Sequence, residues 1–213
     1  TIYKLFTALQ HVTAGRCVLT RPDERMRTGP MFEDPIDNPR IQTLMDALDR
    51  IGEKVIIWCR YTHEIRDISK LLREKYGEGS VVEFHGGISR KKREINAERF
   101  ANDARFFVAN KTCAGYGLNL QFCSYMIYYS NDWDWATRSQ SEDRAHRIGQ
   151  TRNVHIIDIY AGRTIDERII DCLGRKENLV ERFKDEIEKQ KDIREWLYDP
   201  NRVKSRRKTK GAG

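Results

Sequence analysis

Val55 to Phe84 reads V-I-I-W-C-R-Y-T-H-E-I-R-D-I-S-K-L-L-R-E-K-Y-G-E-G-S-V-V-E-F: an apolar run, an amphipathic stretch, a second apolar run. Val55 to Cys59 and Val81 to Phe84 are short, rich in Val, Ile and aromatics and without polar alternation, the pattern of strands buried on both faces. Between them, Thr62 to Tyr76 sets Ile65, Ile68, Leu71 and Leu72 on one helical stripe. The alternation continues downstream. Ser89 to Phe100 opens with an N-cap candidate and carries Ile95 and Phe100, and Phe106 to Ala109, Met126 to Tyr129 and Val154 to Tyr160 are further apolar runs. Strand, helix, strand, repeated, predicts an α/β fold: a three-layer sandwich around a central, mostly parallel sheet.

Two regions flank that core. Residues 1 to 14 fit a helix using Leu5, Ala8, Leu9 and Val12, and Gly15 to Asn38, rich in Pro, Gly and charge, fits an extended or hairpin excursion. Pro39 suits the first turn of a helix running to Ile51. At the other end Thr164 to Tyr198 reads as helix with a break near Gly174, and its apolar positions Leu179, Phe183 and Ile187 are too few for heptads, so it is expected to pack back on the lobe. The expected units are 1–38, an N-terminal helix and excursion; 39–173, the α/β lobe; 174–200, a bracing helix; and 201–213, a basic disordered tail.

A chain of 213 residues with 39% hydrophobic and 33% charged residues has the profile of a globular protein, and with no run of 18 apolar residues and no signal-type N-terminus, neither a membrane partner nor export is expected. The five cysteines (Cys17, Cys59, Cys113, Cys123, Cys172) are scattered without a C-x-x-C pair, which points to a reducing compartment (cytoplasm, or nucleus in a eukaryote) and to no metal site. Cys113 reads as a small packed side chain. Of the +7 net charge, six positive charges come from Arg202, Lys204, Arg206, Arg207, Lys208 and Lys210, so any nucleic-acid face on the body must arise from local charge placement.

Gln140 to Gln150 reads Q-S-E-D-R-A-H-R-I-G-Q. On a helix, Gln140, Arg144 and Arg147 return to one face, and paired guanidiniums suit phosphate because each is a permanently charged planar fork. A solvated amphipathic helix would carry the same charges. The stretch D-R-A-H-R-I-G-Q resembles the last signature motif of the Swi/Snf-type ATPases, double-stranded-DNA translocases of helicase superfamily two. His85-Gly86-Gly87 with Ser89 resembles that family's H-G-x-x-S segment, and Gly115 to Leu120 (G-Y-G-L-N-L) its G-x-G-x-N-L motif. Asp132-Trp133 and Gly162 to Ile169 follow in the family's order. The resemblance spans roughly residues 39 to 173.

The resemblance implies a RecA-like lobe, with ATP and Mg²⁺ as cofactors and duplex DNA and a first RecA-like lobe as partners. No G-x-x-x-x-G-K-[ST] or D-E-x-[HD] segment occurs in the sequence, so the chain is expected to supply the second lobe, inactive by itself. Arg144 and Arg147 would then reach across the cleft as arginine fingers, with Gln140 orienting a finger or the attacking water. Gly115 to Leu120 is expected to open a helix, with Gly115, Gly117 and Asn119 near the nucleotide. DNA would meet His85, Gly86, Arg90, Lys91, Lys92 and Arg93, together with Lys111 and Thr112. Here the chain departs from the family: S-T-K-A-G-G-x-G appears as N-K-T-C-A-G-Y-G, so Lys111 stands where a hydroxyl would touch phosphate and Ala114 replaces a glycine. His85 equally fits a satisfied structural histidine, Trp133 and Trp135 fit packing better than base stacking, and D-W-D-W where the family has D-W-N-P leaves the local turn open. Two other readings stand beside the motor: a non-hydrolysing DNA or protein docking module, and a strand-separating helicase, a family that favours Q/H-R-x-G-R-x-G-R in place of R-A-H-R-I-G-Q.

Overall fold

The computed structural model describes residues 2–21, 24–111, 118–145, 150–177 and 179–188. Five parallel strands form the central sheet: β3 (Val55–Cys59), β4 (Val81–Phe84), β5 (Phe106–Asn110), β6 (Tyr125–Tyr128) and β7 (His155–Asp158), in the order β4-β5-β3-β6-β7. Two short strands precede them, β1 (Arg16–Val18) and β2 (Thr28–Pro30), an antiparallel pair inside the expected excursion. The central strand β3 is buried along its whole length, as an uninterrupted V-I-I-W-C run requires. β7 differs from its expectation, because it closes the edge of the sheet with His155 and Ile156 exposed.

Helices cover both faces. α2 (Pro39–Asp49) and α3 (Thr62–Tyr76) bury Ile41, Leu44, Leu48, Ile65, Ile68 and Leu72 against Val55, Ile57 and Val108 on one side. α4 (Arg90–Asn102) brings Phe100 to Ile56, Trp58, Phe84 and Phe107 on the other. Ser89 caps α4 through Lys92 N–H, as expected, but Ile95 is 46% exposed. The neighbouring Asn96 turns inward instead, and its amide donates to Glu83 O at 2.7 Å.

A third apolar cluster joins α1 (Ile2–Thr13), α6 (Ile165–Gly174) and α7 (Leu179–Glu188) through Phe6, Ile165, Ile169, Leu179 and Phe183. The helix break falls near Gly174, as expected; the rest of the bracing stretch and the basic tail lie outside the described residues. Arg40 on α2 pins this unit to the lobe: its guanidinium meets Asp166 of α6 at 2.9 Å, with both side chains under a tenth exposed, and donates to Ile159 O and Thr13 O. Gly15 makes the turn out of α1 with φ +81°, and a Cβ there would stand 2.4 Å from Asn38 Nδ2, which donates to Ala14 O. Both the dihedral and the approach require glycine.

Candidate nucleotide and DNA interface

In an open parallel sheet, ligands gather at the carboxyl ends of the strands. Here those ends carry Arg60 after β3, His85 after β4, Lys111 after β5 and Ser130-Asn131-Asp132 after β6. Buried polar contacts bind them to one another. Glu64 Oε2 accepts from Arg60 N, Tyr61 N and Ser130 Oγ, and Asn110 Nδ2 donates to Arg60 O at 2.6 Å. Burial raises the Glu64 carboxyl above its ordinary pKa, opposed by the Ser130 hydroxyl and by Arg40. The Arg60 guanidinium lies 3.9 Å from the Trp133 ring centroid and 3.1 Å from Asp132. Trp133 also meets Phe6 and Tyr3, which is a packing role.

α5 (Trp135–Glu142) follows, capped by Asp134, whose carboxylate accepts from Ala136 N and Thr137 N. The second aspartate of D-W-D-W thus starts a helix. The helical spacing behind the one-face expectation stops short of Arg144, and Arg147 lies outside the described residues. The helix ends at Glu142, and residues 143–145 form a turn that seats Ala145, fully buried, in the apolar cluster beside Leu120. Gln140 is exposed on the last turn of α5; Arg144 sits in the following turn, half-buried, its Nε without a hydrogen-bond partner among the described residues. Arg147, Gly115, Gly117 and Thr112 lie outside the described residues, as does Cys113.

Asn119 is exposed, and the next residue donates its N–H to Arg144 O at 3.1 Å, so the G-x-G-x-N-L and arginine motifs meet through the backbone. No helix opens there. Only Gln121 to Ser124 separate Leu120 from β6, and the chain spends them on a turn with Gln121 N–H directed at Asn119 Oδ1. Among the described residues 118–124 no helix follows the motif; the part of the Gly115 to Leu120 expectation that falls on residues 115–117 lies outside the described residues.

At the far side of the sheet, the end of β4 gathers the basic residues. Arg90, Lys91 and Lys92 are exposed on the first turn of α4, Arg93 is half-buried with its guanidinium 5.8 Å from the Phe84 ring, and Gly86 is exposed, with nothing within 4 Å of where a Cβ would stand. His85 is buried, accepts Gly87 N–H on Nδ1 at 3.0 Å and has Nε2 3.4 Å from Glu83, so its polar atoms are engaged inside the lobe. Lys111 is also turned inward: it is 4% exposed, with Nζ 3.5 Å from Asn131 Oδ1 and over the Tyr128 ring. In this arrangement its ammonium does not present itself to a phosphate at the surface. Burial pushes the Lys111 amine down to about 7, with Asp132 opposing and Arg138 and Arg60 assisting.

Arg138 on α5 escaped sequence reasoning, since its partners are distant in sequence or belong to no motif. It is 6% exposed, forks onto Asp158 of β7 at 2.6 and 3.1 Å, donates to Asn131 Oδ1 at 2.8 Å and to Glu142, and lies 3.4 Å from the Tyr128 ring centroid. The ring stack of His11, Tyr61 and His63 was also missed; its centroids stand 4.2 Å apart for His11 and Tyr61 and 5.4 Å apart for Tyr61 and His63. Burial, with the nearby Arg16 and then His11, pushes His63 down to about 3. No group of three or more His, Cys, Asp or Glu suited to a metal ion occurs among the described residues, and no helix among them is long and apolar enough to cross a membrane.

Comparison with known proteins agrees with this geometry. The model of the helicase conserved C-terminal domain matches residues 39–149. The chain is 32% identical over 151 residues to an uncharacterized ATP-dependent helicase, YqhH, of Bacillus subtilis, covering 71% of this chain and 27% of that protein. It is 31% identical over 157 residues to helicase domino of Drosophila melanogaster, covering 70% of this chain and 5% of that one. It thus spans about a quarter or less of these relatives. Among solved structures, the C-terminal part of the Fun30 ATPase domain superposes with a TM-score of 0.60 at 23% identity, over 66% of this chain and 46% of the other, which speaks for the fold. The SWI2/SNF2 ATPase core of Sulfolobus solfataricus gives 0.51 at 28% identity, over 65% and 28%. The chain belongs to the helicase conserved C-terminal domain family, as the RecA-like C-terminal lobe of a Swi/Snf-type helicase-like ATPase.

Proposed function

We propose that this lobe closes on a first RecA-like lobe of the same polypeptide to form a DNA-stimulated ATPase that tracks along duplex DNA. The observation that carries the reading is the backbone hydrogen bond from Leu120 N–H to Arg144 O, which joins the segment that carries exposed Asn119 to the turn that carries Arg144, whose buried Nε has no hydrogen-bond partner among the described residues. That pairing fits an anionic nucleotide. ATP, held with Mg²⁺ mainly by the first lobe, supplies the phosphoryl group whose transfer builds up negative charge. Arg144 and Arg147 supply fixed positive charge to it, and Gln140, exposed one turn earlier, orients an arginine or the attacking water.

DNA is held elsewhere on the lobe. Gly86 at the end of β4 allows close backbone approach, and Arg90, Lys91 and Lys92 with Arg93 offer charge to a sugar-phosphate backbone. His85 shapes that turn from inside through its bond to Gly87 N–H. Contacts of this kind carry no base information, which suits tracking. The test is ATP turnover by the two-lobe protein with duplex DNA, single-stranded DNA or no nucleic acid, alongside the 213-residue chain. Turnover should rise with duplex of any sequence and be absent from the single lobe. Turnover by the single lobe, or a two-lobe protein indifferent to duplex, would contradict the proposal.

A further inference from the structure

Lys111 follows the last residue of β5, yet its side chain reaches past the end of β3 to groups that follow β6. The strands lie in the order β5-β3-β6, and Nζ comes to 3.5 Å from Asn131 Oδ1 and 5.3 Å from the Tyr128 centroid. The same Asn131 oxygen accepts from Arg138, and the Asn131 amide donates to Asp158 at 2.7 Å. Tyr128 closes the set, with its ring under Arg138 and its hydroxyl 2.7 Å from Ser141 Oγ of α5. Lys111, Asn131, Arg138 and Asp158 therefore form one buried polar network joining β5, β6, β7 and α5.

A buried amine with one long hydrogen bond adds little stability. What it does add is a link. α5 is held by Arg138, and two residues past its end lies Arg144; β5 lies beside β4, whose end opens onto the basic turn of α4. Lys111 is the member of the network that stands on the β4–β5 side.

We propose that Lys111 is a positioning residue, tying β5 to the Arg138–Asp158 pair so that engagement of DNA at the β4–α4 end sets the placement of α5 and the Arg144 turn. This rests on the function proposed above and assigns to Lys111 a role distinct from phosphate contact. Packed networks with discrete arrangements transmit such coupling, and small displacements of a charged catalytic group are costly in rate.

The experiment uses the two-lobe protein with Lys111→Met and Lys111→Gln, reading kcat at saturating duplex DNA, the salt dependence of DNA binding, and urea stability. Lys111→Met should lower kcat at saturating duplex roughly ten- to a hundred-fold. The slope of log affinity against log salt should stay that of the wild type, and the fold should be no less stable. Lys111→Gln, which keeps a donor toward Asn131, should recover part of the rate. Adding Arg138→Lys to Lys111→Met should cost less than the two single losses combined. Unchanged kcat in a folded Lys111→Met protein overturns the proposal. A slope reduced by about 0.9 makes Lys111 a phosphate ligand instead. A wild type that duplex DNA does not stimulate overturns the underlying functional reading, and the coupling with it.

Discussion

Replacing Lys111 with methionine should make the 213-residue chain more stable at neutral pH, by an amount that shrinks as the pH rises. The amine is buried and pushed from 10.5 down to about 7. Below the folded value both states bind the proton, and the folded state bears the full penalty of a buried charge. Between the folded and unfolded values the unfolded chain binds more protons, so wild-type stability climbs with pH at ~1.4 kcal/mol per unit. Integrated over that window the penalty is at most about 5 kcal/mol, and from pH 7 to pH 9 it relaxes by about 2 kcal/mol. Methionine fills a similar volume without the charge. The stability difference between variant and wild type, from urea denaturation followed by circular dichroism, should therefore be largest at pH 7 and about 2 kcal/mol smaller at pH 9, roughly 4–8 °C in Tm for a chain of this size. Other titrating groups are common to both proteins and cancel. A variant no more stable at pH 7, or one whose advantage is the same at both pH values, would show that the ammonium is satisfied where it lies.

Arg40→Met should destabilise the chain by ~3–5 kcal/mol in urea, because it leaves Asp166 buried without its guanidinium partner; a loss under about 1 kcal/mol would mean that α1, α2 and α6 are not held by this pair. For His63, whose folded value lies at about 3, the unfolded chain takes up a proton as pH falls from about 6.5 to 3 and the folded one does not, so stability drops across that window. His63→Phe, which keeps a ring in the stack with Tyr61, should flatten the acid limb of the stability curve, and an unchanged limb would exclude His63 as its source. Removing charge with Lys91→Gln and Lys92→Gln should lower the salt slope of duplex binding by about 1.8 and weaken all sequences alike. An unaltered slope would move DNA off α4.

The central strands were legible because their signal is local. V-I-I-W-C and V-V-E-F are bounded as strands β3 and β4 where the apolar runs begin and end, and the T-H-E-I-R-D-I-S-K-L-L-R stripe gave α3 its buried face. Ser89 before R-K-K-R marked the start of α4 for the same reason. What escaped depended on distant partners. Helical spacing carried Gln140 and Arg144 onto one face, but α5 ends at Glu142, before the turn that seats Ala145 in the apolar cluster with Leu120. Ile95 looked like core until the carbonyl of Glu83 drew Asn96 inward. Lys111 read as a surface cation because Asn131 and Tyr128, which enclose it, lie on another strand connection. Arg138 finds its bidentate partner, Asp158, on β7, 20 residues away in sequence.

The claim that this lobe supplies charge to a nucleotide held across a cleft is tested most directly by kcat of the two-lobe ATPase at saturating ATP and duplex DNA for Arg144→Ala and Arg147→Ala, with Tm measured on the same preparations. The account predicts a fall of ~10³ to 10⁵ in kcat, about 4 to 7 kcal/mol of transition-state stabilisation, with ATP and DNA affinity and Tm close to wild type and little rescue by lysine. A well-folded Arg147→Ala enzyme turning over at a near-normal rate would contradict it.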